Sequence, residues 1–194
     1  MRKYFSCYLI MFFAFLINIY GQNNSSPIIG YNNMVWGTTI NEFLRLYPNA
    51  KEDISGDADI GVREFDEITN GGDIQRRRFW FYQNQLFRVM VYYGQQNEDI
   101  VNALKLRIIS IYGNFDDIEE EKEIVRTPYV GYRKSTLFYR YYKNDLTIFI
   151  GTNEHFDSRN VLLLSSISCY YQNPIIIKIT TDERRRVDRE KIRL

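Results

Sequence analysis

The sequence is poor in the residues that most often carry out catalysis or bind metal ions. Its 194 residues include one histidine, two cysteines and four prolines. Zinc sites usually take several His or Cys ligands, so this chain offers little from which to build one. No glycine-rich phosphate loop and no GxSxG motif is present, although a Ser-His-Asp arrangement using His155, in the predicted loop NEHFDSRN, can still be written. These shortages favour a non-catalytic protein, and a secreted hydrolase is an alternative.

The chain also lacks an excess of charge of either sign. Its formal net charge is +1, and loss of the first 21 residues would remove Arg2 and Lys3 and no acid, which leaves −1. A near-neutral chain has no global electrostatic reason to bind nucleic acid, and no such partner is expected. The apolar fraction of 45% is large enough for a packed core and excludes a disordered protein.

Residues 1–21 have the pattern of a signal peptide. Arg2 and Lys3 precede a largely apolar run over residues 4–19, and Gly21 is a small residue before the polar QNNSS. The run has about 16 residues, fewer than the roughly 20 that a membrane-spanning helix needs. We therefore expect cleavage after Gly21 and a periplasmic or secreted protein without stable membrane insertion. A retained membrane anchor is the alternative.

Cleavage would leave Cys169 as the only thiol, and one thiol cannot form a disulfide within its own chain. Cys169 lies in the apolar stretch VLLLSSISCYY, which predicts a buried and inert thiol. An intermolecular disulfide is the alternative.

Two helices are predicted from capping residues and apolar periodicity. Thr39 and Glu42 form a capping box, an apolar stripe follows over residues 40–47, and Pro48 ends the first helix. The second helix has its stripe at Ile100, Val101, Leu104, Ile108, Ile111 and Tyr112, and Gly113 stops it. Polar connections are predicted at residues 49–59 and 116–123.

Strands are predicted where apolar and aromatic residues alternate between turn signals. Residues 75–82 and 85–93 form a hairpin around Gln83-Asn84, and residues 61–68 precede it, so together they predict a three-stranded antiparallel meander. The later strands are predicted at residues 124–132, 134–142, 145–152 and 161–172.

These elements predict an α+β protein, an antiparallel sheet with two main helices packed on one face. The domain spans residues 34–177 after a flexible leader at 22–33, and its halves are 34–94 and 95–177. Aligning Asn84 with Asn144 also aligns Leu86 with Leu146, which predicts two α-β-β-β repeats; a chance recurrence of a common hairpin phrase is the alternative. Residues 178–194 form a charged tail, an exposed helix or a weak contact for an anionic surface.

The stretch WGTTINEFLRLYP at residues 36–48, and more weakly residues 99–113, resembles the opening helix of the small outer-membrane assembly lipoproteins of the SmpA/OmlA (BamE) type. Units of this kind in tandem also make up the β-lactamase inhibitory proteins. The resemblance implies a protein-binding scaffold of the cell envelope without catalytic residues. The lipid-accepting cysteine of those lipoproteins is missing here, so no lipid anchor is expected.

The strongest candidate for a binding surface is the hairpin. Because side chains alternate along a strand, Arg76, Arg78, Trp80 and Tyr82 should share one face. With Phe87 on the next strand, they predict an arginine and aromatic patch for a protein partner. The preferred function is therefore a non-catalytic binding or scaffold module of the bacterial cell envelope.

An acidic loop offers a second candidate site, for calcium. Side-chain oxygens recur at alternate positions from residue 53, and a Glu stands twelfth, as in an EF-hand loop. The candidate ligands are Asp53, Ser55, Asp57, Asp59 and Glu64. Ala58 occupies the sixth position, where the turn usually needs Gly, so a plain acidic loop is the alternative. The second possible function is thus calcium or small-ligand binding through this loop.

Overall fold

The structure is a computed structural model that describes residues 30–54, 58–94, 98–114, 121–127, 131–143, 146–157, 159 and 161–192. The strands are β1 (Gly30–Tyr31), β2 (Met34–Val35), β3 (Lys51–Asp53), β4 (Val62–Ile68), β5 (Ile74–Tyr82), β6 (Gln85–Tyr93), β7 (Glu121–Thr127), β8 (Gly131–Lys143), β9 (Leu146–Phe156) and β10 (Leu162–Gln172). The helices are α1 (Ile40–Leu46), α2 (Glu98–Tyr112) and α3 (Pro174–Ile192), and a 3-10 turn spans Ala58–Ile60. None of these helices is both long enough and apolar enough to cross a membrane.

The main sheet has eight strands, and every neighbouring pair is antiparallel. Its order is β3-β4-β5-β6-β10-β9-β8-β7. The predicted α+β class and the meander of β4, β5 and β6 are confirmed. Each of the first two helices is followed by four strands rather than three, and the two sets of four meet where β6 pairs with β10.

This topology changes the basis of the predicted repeat. A two-fold rotation normal to the sheet, placed between β6 and β10, would bring β5 and β6 onto β9 and β10. The alignment of Asn84 with Asn144 instead matches the β5–β6 turn with the β8–β9 connection, and Asn144 lies outside the described residues. Duplication of the halves therefore stays a prediction, and the Asn84 alignment does not coincide with this rotation.

The hairpin and both helix boundaries formed as their local sequence predicts. Gln83 and Asn84 have φ of 49° and 65°, the backbone of a tight two-residue hairpin turn. Thr39 caps α1 with the full capping box to Glu42. Gly113 ends α2 with φ of 100°. These devices depend only on residues a few positions apart.

The two predicted helices pack on one face of the sheet, called here the α1–α2 face. Phe43 of α1 and Ile108 of α2 are fully buried there. The sheet residues beneath them include Phe65, Phe79, Val89, Ile148 and Ile167. Ile111 of α2, assigned to the apolar stripe from the sequence, is 52% exposed and points away from this core.

The third helix packs on the opposite face, called here the α3 face. Residues 178–192 form the helix that was one interpretation of the charged tail, and most of them are exposed, but one side of the helix contacts the sheet. Its aliphatic residues Ile176, Ile177 and Val187 pack against a second buried cluster that contains Val62 and Phe87. The predicted domain end at residue 177 falls inside this helix.

Polar contacts also hold α3 in place. The Tyr82 hydroxyl donates to Glu183 at 2.9 Å, and Asp59 accepts from Arg184 at 3.2 Å and from Lys191 at 2.9 Å. The stripe Ile176, Thr180, Glu183, Val187 follows helical spacing, but its middle members are polar. An apolar stripe alone therefore does not reveal that this helix docks on the sheet.

Three connections predicted from polarity contain regular structure. β3 lies within the predicted loop at residues 49–59 and pairs with β4. β7 begins at Glu121, inside the predicted acidic connection, and β9 continues to Phe156. His155 is therefore in a strand, opposite Arg133 and Leu164, and not in a loop. These polar residues are in strands because their backbones pair with a neighbouring antiparallel strand.

Candidate binding face

The α3 face of the sheet carries the side chains that the sequence assigned to binding. Cross-strand register arranges its residues in rows that run perpendicular to the strands. From β4 to β8, one row is Asp66, Arg78, Met90, Tyr170, Phe149 and Arg140, and the next is Glu64, Trp80, Arg88, Gln172, Thr147 and Tyr142. Arginine and aromatic side chains thus recur across five of these strands, and β4 contributes the acids Asp66 and Glu64.

Near α3, a β-bulge in β6 determines which side chains of that strand face the helix. The register shifts between the pairs Trp80–Arg88 and Phe81–Leu86, so Phe87 is the extra residue of β6. Leu86 belongs to the core on the α1–α2 face, and Phe87 to the cluster under α3. The bulge therefore brings Phe87 and Arg88 to the same side of the sheet.

Among the described residues, three arginines lie against aromatic rings on this face, and the Arg78 guanidinium carbon is 5.9 Å from the centroid of the Trp80 ring. The Arg88 guanidinium carbon is 4.6 Å from the centroid of the Trp80 ring and 5.2 Å from that of Tyr170. The Arg140 guanidinium carbon is 5.8 Å from the centroid of Tyr142 and 5.5 Å from that of Phe149. Such cation–π contacts hold flat side chains in fixed orientations. We call Trp80, Arg88, Arg140, Tyr142, Phe149 and Tyr170 the arginine–aromatic surface.

This surface is partly open to solvent, as far as the described residues show. Tyr142 is 45% exposed, and the other five members are half-buried. Ser168, in the next row on β10, is only 2% exposed. Trp80 packs against the buried cluster under α3, so this helix borders the surface at that end.

An ion-pair cluster borders the arginine–aromatic surface. Arg78 donates to Asp66 at 2.8 and 2.9 Å, to Asp53 at 2.8 Å and to Glu64 at 3.0 Å. Arg76 donates to Asp66 through Nε at 2.9 Å. Burial opposes ionisation of Asp66, but the hydrogen bonds from Arg78 and Arg76 outweigh it and hold the pKa of Asp66 below its usual value. The hydrogen bond to Asp66 is also the main cause that raises the pKa of Arg78.

The five predicted binding residues share one face but differ in availability. Arg76 and Arg78 pair with carboxylates, and Trp80 lies between this ion-pair cluster and Arg88. Tyr82 bonds to Glu183 of α3, and Phe87 is 3% exposed beneath that helix. Phe87 is therefore not accessible to a partner in this structure, because α3 covers it.

Five members of the arginine–aromatic surface were not predicted from the sequence: Arg88, Arg140, Tyr142, Phe149 and Tyr170. Alternation predicts which side chains of one strand share a side of that strand. It does not predict which strands are neighbours, so it does not place β10 between β6 and β9. That neighbour relation brings Tyr170 beside Arg88 and joins the aromatic residues of both halves.

The described candidate ligands of the predicted calcium loop form ion pairs with basic side chains. Asp53 and Glu64 both contact Arg78, and Asp59 contacts Arg184 and Lys191 of α3. Ser55 and Asp57 lie outside the described residues. Among the residues that the structure describes, no three His, Cys, Asp or Glu side chains form a group that could hold a metal ion.

The prediction that Cys169 is a buried thiol is confirmed. Cys169 is fully buried on the α1–α2 face, and burial raises the pKa of its thiol to about 12. A neutral buried thiol is a poor nucleophile.

Comparison of the chain with family models, with curated proteins and with solved structures finds no match. The resemblance to the envelope lipoproteins and to the β-lactamase inhibitory proteins therefore stays a prediction.

Proposed function

We propose that this chain is a non-catalytic protein-binding module of the bacterial cell envelope and that its partner docks on the arginine–aromatic surface. The observation that carries the proposal is the pair of arginine stacks, Arg88 against Trp80 and Tyr170, and Arg140 against Tyr142 and Phe149. The signal-peptide pattern of residues 1–21 supports export.

The composition of the surface favours a protein partner over a small molecule. Trp, Tyr and Arg are the residues most enriched among those that dominate binding energy at protein interfaces. The surface extends over strands β5, β6, β10, β9 and β8, which is broader than the pocket that a small molecule needs. A row of large side chains on a sheet suits a broad docking contact.

The surface also has a rigid support. Its strands belong to one continuous sheet, whose other face carries fully buried residues such as Val89, Ile148 and Ile167. Stacking restricts the rotamers of Arg88 and Arg140 before a partner arrives. Less conformational entropy is then lost on binding, so the contact can be tighter for its area.

Site-specific photo-crosslinking in a bacterial envelope extract tests the proposal. A photoreactive phenylalanine analogue at position 142 should form a discrete adduct, because Tyr142 is 45% exposed on the proposed surface. The matched control carries the same analogue at position 106 on α2, where Leu106 is 69% exposed on the other side of the sheet. Adducts of equal yield from both positions, or none from position 142, would contradict the proposal.

The partner identified in this way then allows a quantitative test. Arg140→Gln and Tyr170→Ser should each weaken its affinity by about 30-fold or more, the loss typical of a central interface residue. Leu106→Ser should leave the affinity unchanged. Circular dichroism of each variant verifies that the fold is retained, so that lost affinity is assigned to the surface.

A further inference from the structure

A cleft lies on the α1–α2 face, away from the arginine–aromatic surface. It has a volume of about 580 Å³ and runs between α2 and the β4–β5 turn with the start of β5. Volumes of this size suit small organic ligands and short peptides. Its apolar walls come from Ile74, Tyr93, Ile100, Ala103 and Leu104.

One wall of the cleft is a side of α2, and the other is the turn between β4 and β5. Ile100, Ala103, Leu104 and Arg107 recur at three- and four-residue spacing, so they form one side of α2. The opposite wall is a turn in which Gly71 and Gly72 have φ of 104° and 80°. Residues with a Cβ are strained at such values, so glycine fixes the course of this turn.

Charged residues of both signs line the cleft and are separated along its length. Asp99 is in the first turn of α2, and Arg107 lies eight residues later, about 12 Å along the helix axis. Asp73 precedes β5, and Arg77 follows it by four residues, about 13 Å along an extended strand. β6 ends beside the start of β5, because Tyr93 pairs with Ile74, and α2 begins soon afterwards. Both acids therefore stand at one end of the cleft and both arginines at the other.

The basic end is organised around Arg77. Its Nε donates to the Tyr31 hydroxyl at 3.3 Å and its Nη1 to Glu67 at 2.5 Å, which fixes the plane of a guanidinium that has five N–H donors. The side chain is 19% exposed. Arg107 lines the same end from α2 and is exposed. Two guanidinium groups from facing elements can bind a carboxylate between them.

We propose that this cleft binds short peptides with free termini and apolar side chains. The peptide carboxylate would lie at Arg77 and Arg107, the terminal ammonium at Asp73 and Asp99, and the side chains against the apolar walls. An extended chain covers about 3.3–3.6 Å per residue, so three or four residues span the roughly 12 Å between the charged ends.

Calorimetry with the tripeptide Ala-Leu-Ala tests this site. The peptide with free termini should give saturable heat, and N-acetylation or C-amidation should each weaken binding by about tenfold or more. Arg107→Gln should weaken binding of the free peptide by a similar factor and have little further effect on the amidated one, because both changes remove the same contact. Arg45→Gln, at an exposed arginine of α1 outside the cleft, is the matched control.

A second variant separates ligand binding from folding. Ala103→Trp fills the cleft from an exposed position of α2, so it should abolish binding while the urea midpoint stays close to that of the native chain. Equal affinity for free and amidated peptides would overturn the assignment, as would the absence of heat at millimolar peptide with a folded protein. Because the cleft and the arginine–aromatic surface lie on opposite faces, failure here leaves the crosslinking result unaffected.

Discussion

Replacing Arg78 with Met removes the cation on which three carboxylates converge while keeping most of its aliphatic length. Asp53, Glu64 and Asp66 would be left side by side, and the Glu64 and Asp66 side chains are only 9% and 16% exposed. Breaking a fully buried ion pair costs about 3–5 kcal/mol, because an uncompensated charge remains. Arg78 retains 23% exposure, so solvent screens part of the loss. We expect about 3 kcal/mol less free energy of unfolding at pH 7.

The pH dependence distinguishes lost charge pairing from lost packing. The pKa of Asp66 is lowered in the native protein, so its contribution is present above its unfolded pKa of about 4 and disappears as the pH falls through the lower folded value. Without Arg78, the crowded carboxylates should instead take up protons at higher pH than usual. Protonation relieves their repulsion, so the difference between Arg78→Met and the native chain should narrow between pH 7 and pH 4.5.

Urea unfolding at both pH values provides the measurement. Arg63→Met is the matched control, because Arg63 and its partner Glu52 are 50% and 36% exposed, and such pairs contribute at most about 1 kcal/mol. The reasoning would be refuted if Arg78→Met lowered the free energy of unfolding no more than Arg63→Met does. It would also be refuted if Arg78→Met lowered the free energy of unfolding equally at pH 7 and at pH 4.5.

Two further predictions concern burial. In a Cys7→Ser background, a thiol reagent at pH 8 should modify Cys169 at least about 100-fold more slowly in the folded protein than in urea. The thiol pKa of about 12 keeps the thiolate fraction low, and burial blocks access of the reagent. Rapid labelling of the folded protein would show that the site opens. Ile177→Asp places a charge where α3 packs on the sheet, so it should release the helix, red-shift the fluorescence of Trp80 and expose residues 174–192 to protease. Ile175→Asp, at a position that is 60% exposed, should do neither.

Much of the fold follows from residues close together in sequence. The capping box of Thr39 and Glu42, the turn at Gln83 and Asn84, and the glycine stop at Gly113 each depend on neighbours within about four residues. The alternation of β5 correctly placed Arg76, Arg78, Trp80 and Tyr82 on one face. The errors occurred where polar sequence forms regular structure, at β3, at the start of β7, at the end of β9 and in α3. In each case a neighbouring element supplies pairing or packing that the segment's own residues do not encode.

The sequence by itself determined the α+β class, the two helices of the α1–α2 face, the central hairpin and a buried Cys169, because local backbone preference and apolar periodicity act over short distances. Only the tertiary structure decided that β10 lies between β6 and β9 and that α3 covers Phe87. It also decided that Arg88 lies against the ring of Tyr170. Those contacts join residues far apart along the chain, and their register depends on the packing of the whole core rather than on any single segment.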